Sequence, residues 1–315
     1  MNMTTLPIDI YRYIFLYCNI HEIYNFSKAI KYMKLCKEKY LRDFKENALI
    51  ESIKNIHVDI VKILLECQKI DVNFQNKHDT TALFISIYTP YKNYNKRRND
   101  IISLLLKSDK LDINLKNFWG NTAFIKACRY NNIEVIELLL QHPKIDINVQ
   151  NNLGNTAYIT CCKFGYVNII KKLHKFKNLN IHLQNLYGKT AFMTSIYNYK
   201  TIKELLKHED IDVNILSTNN ITTLMIVINS SVDIVNLLLQ CPKIDINLQD
   251  WNGNTALMYC CKQMNIERVD IIKKILQHPK IDINLYNKCG QTALMMAFAN
   301  GRRETMELIY NKMNY

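Results

Sequence analysis

Asp245-Ile246-Asn247-Leu248-Gln249-Asp250-Trp251-Asn252-Gly253-Asn254-Thr255 is an eleven-residue phrase that returns, altered, six more times along the chain. Its first residue stands at Asp71, Asp112, Asp146, Asn180, Asp212, Asp245 and Asp282. A Thr closes each copy, at Thr81, Thr122, Thr156, Thr190, Thr222, Thr255 and Thr292. The spacing from each Thr to the next opener varies from 22 to 31 residues, whereas the phrase never changes length. A segment of fixed length in a chain of variable spacing is geometrically committed. Five of the seven glycines, Gly120, Gly154, Gly188, Gly253 and Gly290, occupy the ninth place of a phrase, which predicts a positive φ there. Asp79 and Asn220 fill that place in the other two copies, and short polar side chains tolerate the left-handed region.

Between phrases the apolar residues fall at helical spacing, as in Ala123, Ala127 and Cys128 followed by Val135, Ile136, Leu138 and Leu139. The closing Thr predicts a helix cap. A short helix, a break near Asn131-Asn132 and a second helix then fit the length available. Pro143, Pro242 and Pro279, each three residues before an opener, stop that second helix. The unit is turn, helix, helix.

A period near 33 with Thr-Ala-Leu or Thr-Ala-Phe at the first helix and Leu-Leu in the second resembles the ankyrin repeat over residues 44 to 315. The family's Thr-Pro-Leu-His reads Thr255-Ala256-Leu257-Met258 here, and Ala serves the first helical turn well. Residues 47 to 66 align as a degenerate first repeat whose second helix carries Val58, Ile60, Val61, Ile63 and Leu64. The fold class expected is therefore all-α, an ankyrin solenoid of about eight helix pairs with short β-turn or hairpin tips. Insertions at Tyr91 to Asp100 and around Gln263 to Val269 are expected in the connection between the two helices of their repeats.

Residues 1 to 43 lack the phrase. Leu6-Pro7, then Ile10, Ile14 and Tyr17, then Glu22-Ile23 and Ser27 resemble an F-box, although the family's Val-Cys…Trp ending reads Ala29-Ile30-Lys31-Tyr32-Met33. The resemblance implies that Leu6, Pro7, Ile10 and Ile14 bind the bridging adaptor of a cullin-RING, SCF-type ubiquitin ligase. The same amphipathic helices also suit a terminal cap on the first repeat, which any repeat array requires. An ankyrin array behind an F-box-like segment is similar to the ankyrin proteins of large DNA viruses, which implies a host cell's cytoplasm.

The net charge of +13 comes from 41 Lys and Arg against 28 Asp and Glu, scattered without a long basic run, and describes a solvated surface more readily than a nucleic-acid patch. Ten cysteines show no Cys-x-x-Cys; Cys128, Cys161, Cys162, Cys260 and Cys261 fall at small-residue positions of first helices and read as packing residues in a reducing compartment. No apolar run is long enough to span a membrane and no signal peptide is visible. The recurring Asp openers stand one repeat apart, too far to share a proton or an ion, so they are expected to bond turn backbone. No phosphate-binding, nucleophile-elbow or zinc-protease motif is present, and no catalytic residue, cofactor or metal is expected.

The seventh and eighth places of the phrase are not required by the fold, yet they hold both tryptophans of the chain. Phe118, Trp119, Leu153, Tyr187 and Trp251 are accordingly the candidate partner-binding residues, a row of loop tips recognising a target protein. The alternative is that each ring folds back on the neighbouring tip and stiffens it. The function expected is target capture on the tips with delivery to a ligase. Two other classes remain, a plain scaffold with a capping N-terminus and a basic solenoid that binds nucleic acid.

Overall fold

The computed structural model of the protein describes residues 48–66, 70–87, 95–229, 231–262 and 269–314. The F-box-like residues Leu6, Pro7, Ile10 and Ile14, and the insertion at 263–268, lie outside the described residues. Two compact units meet in sequence between Asp146 and Ile147.

The first unit holds three helix pairs: residues 48–54 with Val58–Leu65, Ala82–Ser86 with Asn95–Leu106, and Ala123–Arg129 with Ile133–Leu140. Five pairs make up the second: Ala157–Phe164 with Val167–Leu173, Ala191–Thr194 with Tyr199–Leu205, Thr223–Val227 with Val232–Leu239, Ala256–Lys262 with Val269–Gln277, and Ala293–Ala299 with Arg303–Met313. Within each unit first helices pack on first helices and second helices on second helices. No helix among the described residues is long and apolar enough to cross a membrane.

Every closing Thr does what its position predicts. Thr81, Thr122, Thr156, Thr190, Thr222, Thr255 and Thr292 each accept the backbone N–H three residues on, and so satisfy one of the orphan donors at the helix start. Asn131 takes a left-handed φ of 55° between the two helices of its repeat. Asn132 then caps the second helix by accepting the N–H of Val135.

The core is built from the helical ladders, with three departures from the expected pattern. Val135, Ile136 and Leu139 are buried on Ile133–Leu140, but Leu138 is only half-buried. It lies on the edge of the apolar stripe, one position out of register with the centre of the face. Ile63 is likewise exposed, while Ile60, Val61 and Leu64 are buried. Among the cysteines Cys128, Cys161, Cys162 and Cys261 are buried, and Cys260 is half-buried. The insertion in the second repeat does not sit wholly in a connection, because residues 95–100 form the first half of a twelve-residue helix.

The expected hairpin tips are not there. No β-strand exists among the described residues, which hold one isolated bridge, Tyr286 with Thr292. The reason lies in the sixth residue of the phrase. Asn117 donates its N–H to the Asn121 carbonyl, as a hairpin requires. The return bond is diverted, because the Asn121 N–H goes to the Asn117 side-chain oxygen and the Asn117 carbonyl takes the Gly120 N–H. Asn76, Asn151, Asn185, Asp250 and Asn287 divert the tenth-place N–H to the sixth residue's side chain in the same way. A side chain that claims the ladder donor leaves a tight Asx turn in place of paired strands.

In the first unit a half-buried lysine, Lys126, accompanies a buried arginine, Arg98. Lys126 Nζ donates to the Phe84 carbonyl at 2.6 Å and stands 4.2 Å from the centroid of that ring. Burial, and then repulsion from Arg98, push Lys126 down from 10.5 to about 7. Between those two values the unfolded chain binds more protons than the folded one, so folding gains stability as pH rises through the window. Below pH 7 both states are protonated and the penalty is complete. Lys126→Met is therefore expected to be most favourable relative to wild type at pH 6, with that advantage shrinking toward pH 10 in paired urea titrations. A difference between the two proteins that does not vary with pH would show that the ammonium carries no burial penalty.

Candidate functional site

The tips are fixed by their polar residues. In six of the seven copies the opener's side chain accepts the N–H of the third residue: Asp71, Asp112, Asn180, Asp212, Asp245 and Asp282. These carboxylates thus serve the turn backbone, as their spacing implied. The ninth place is left-handed in all seven copies, from φ 53° at Asp79 to 79° at Gly253. Gln75, Gln150 and Gln249, in the fifth place, each donate to a carbonyl of their own tip and to one in the next repeat.

Consecutive tips are also joined backbone to backbone. The seventh residue of one phrase donates its N–H to the eighth residue of the phrase before it. In the first unit Phe118 bonds His78 in this way; in the second, Leu186 bonds Leu153, Thr218 bonds Tyr187, Trp251 bonds Asn219 and Lys288 bonds Asn252, at 2.9–3.4 Å. Main chain and amides therefore couple the tips, and the side chains in the seventh and eighth places are left over.

Those side chains point away from the fold. Phe118, Trp119, Leu153, Tyr187 and Trp251 are 52–67% exposed. Phe118 and Trp119 meet edge to face at 5.9 Å within one tip. Leu153 and Tyr187 sit on adjacent, bonded tips of the second unit. Trp251 is separated from Tyr187 by the polar tip Thr218-Asn219, so the rings of this unit do not form an unbroken row. Lys288 Nζ lies 5.7 Å from the Trp251 ring, a weak staple that leaves most of the indole open. Leu186 belongs with this set. It fills the same place in its phrase as Phe118 and Trp251 and is 67% exposed. Its place in the phrase was the signal that could have found it.

The Trp251 tip carries Asp250 in the sixth place, where five of the other copies have Asn and one has Ser217. Burial works to raise this carboxyl, but the Tyr259 hydroxyl at 2.7 Å and the N–H groups of Asn254 and Asn252 hold it below the ordinary carboxylate value. It stays ionised and anchors its turn. Among the described residues no group of three His, Cys, Asp or Glu side chains could hold a metal ion.

Stacked helix pairs joined by turns that present unneeded apolar side chains define a tandem-repeat binding scaffold. The family profile described as "Ankyrin repeats (3 copies)" matches residues 20–117, 92–185, 160–250 and 242–315. The chain belongs to the ankyrin-repeat family, whose members are typically non-catalytic scaffolds, and it is a protein–protein interaction module of that type. Many solved chains match it. One comes from the structure of the Bd0816 predatory endopeptidase of Bdellovibrio bacteriovorus in complex with immunity protein Bd3460; it is 27% identical, with a TM-score of 0.50, over 61% of this chain and 98% of that one. No curated protein matches the sequence.

Proposed function

We propose that the protein captures a segment of a target protein on its exposed tip side chains, using Phe118 and Trp119 in the first unit and Leu153, Leu186, Tyr187 and Trp251 in the second. One observation carries this reading. Backbone and amide hydrogen bonds already join the tips, so the large apolar side chains are exposed without being needed as staples. Exposed Trp and Tyr supply wide, stiff contact area and are enriched among the residues that dominate binding energy. The test is a target recovered by proximity labelling in the native cell. Changing both Trp119 and Trp251 to Ala should weaken its affinity at least ~30-fold, the equivalent of about 2 kcal/mol. Thermal stability should move little, since exposed positions away from caps and core usually shift it by about 0.5 kcal/mol or less. Equal loss of affinity and of stability would make the rings staples.

The delivery half of the reading rests on residues 1 to 43. Leu6-Pro7 with Ile10 and Ile14 supports docking on the bridging adaptor of an SCF-type ligase in the cytoplasm. Full-length protein should then co-purify with that adaptor, and a chain starting at residue 44 should not. Recovery of no adaptor with the full-length chain reduces the N-terminal segment to a cap and the protein to a plain scaffold.

A further inference from the structure

Five of the six junctions between successive phrases are closed by one device. The asparagine in the third place, Asn73, Asn114, Asn148, Asn214 or Asn247, reaches into the next repeat. Its Nδ2 donates at 2.6–2.8 Å to the carbonyl two residues before the next opener. Its Oδ1 accepts that opener's N–H at 2.8–2.9 Å. A primary carboxamide thus bridges an adjacent backbone acceptor and donor, and it does so five times in one molecule.

At the remaining junction, inside the second unit, His182 stands where the asparagine would be. Its side chain is exposed and bridges nothing. The Asp210 carbonyl and the Asp212 N–H, which are the matching backbone pair, have no protein partner among the described residues. A cleft of about 510 Å³ opens here, lined by His174, His182, His208, Asp210 and the segment from Phe176 to Ile181. Its wall is ordered. The Tyr158 hydroxyl lies 2.6 Å from His174 Nε2, and the His174 and His208 rings meet edge-on at 4.7 Å. Nδ1 of His208 is shielded from solvent without a hydrogen-bond partner, its nearest acid being Asp210 Oδ2 at 3.8 Å.

We propose that this notch binds a primary carboxamide, the side chain of an asparagine or glutamine carried by an extended segment of a partner protein. The backbone pair selects the group. A carboxylate would set a second acceptor against the Asp210 carbonyl, beside that residue's own carboxylate. An ammonium would satisfy the carbonyl and leave the Asp212 N–H unpaired. A carboxamide, with a donor and an acceptor on neighbouring atoms, completes both bonds at the spacing the five asparagines use. The notch does not depend on the tip rings.

The test is a titration of isotope-labelled full-length protein with N-acetyl-asparagine methylamide, with the aspartate and leucine analogues as controls. The asparagine compound alone should give saturable displacement of the Asp212 amide and His208 imidazole resonances. Trp251→Ala should respond as wild type does, so failure of ring-mediated capture and failure of this site are separately visible. His182→Asn supplies the carboxamide from within; it should abolish the response and raise Tm by about 2–4 °C. His182→Ala should keep the response. Equal displacement by all three compounds, a response that survives His182→Asn, or a lower Tm in that variant would each overturn the proposal.

Discussion

Gly188→Ala is expected to cost about 2–5 kcal/mol, far more than the same change at Gly290. Both residues are left-handed, with φ of 65° and 71°, so both pay about 1–2 kcal/mol for placing a Cβ there. They differ in what the new methyl meets. At Gly188 it would collide with the backbone N of Thr218 and stand 2.9 Å from the Ser217 carbonyl carbon; at Gly290 nothing lies within 4 Å. Backbone cannot swing aside as a side chain can, and forcing it apart adds about 1–3 kcal/mol of overpacking. The displaced N–H is also the one that Thr218 donates to Tyr187, so the change attacks the bond between tips. Asp79 and Asn220 show that the left-handed ninth place admits a side chain in two copies. Urea unfolding followed by circular dichroism measures the difference, and matching midpoints for the two variants would mean that conformation alone sets the cost.

The same comparison shows how far a single sequence reaches. The left-handed ninth place, the Thr caps and the helix pairs were legible because each is settled within a few neighbouring residues. So was the exposure of the seventh and eighth places, since nothing in the repeat needs them. What the sequence hid depends on partners one repeat away. The asparagine in the third place looks like a turn residue until its carboxamide is seen on the next repeat, 29 to 37 residues on. Without that link the change from Asn to His at position 182 is one variation among many. The hairpin failed for a related reason: the ankyrin resemblance implied hairpin tips, but the competition between the sixth residue's side chain and its carbonyl is decided by geometry that spacing does not encode.

The helix Ile133–Leu140 yields the second large effect, and it bears on a residue the periodicity misplaced. Leu139→Ala is expected to cost about 2–5 kcal/mol, because Leu139 is fully buried and truncation leaves both lost transfer energy and a residual cavity. Leu138→Ala should cost roughly 1 kcal/mol, since a half-buried chain keeps water on one side and its neighbours can close over the gap. The two substitutions remove identical atoms from adjacent positions of one helix, so propensity and unfolded-state terms cancel and the difference isolates packing. The helix touches both its own repeat's first helix and Asn95–Leu106 of the repeat before it. Truncating Leu139 should therefore weaken an internal helix and the interface between repeats together, which is how stability is held in a stacked array. In a Trp251→Phe background the remaining indole, Trp119, lies on the tip that leads into this repeat and reports its unfolding by fluorescence. A loss at Leu138 equal to that at Leu139 would put the helix in a different register, with its apolar face turned toward Leu138.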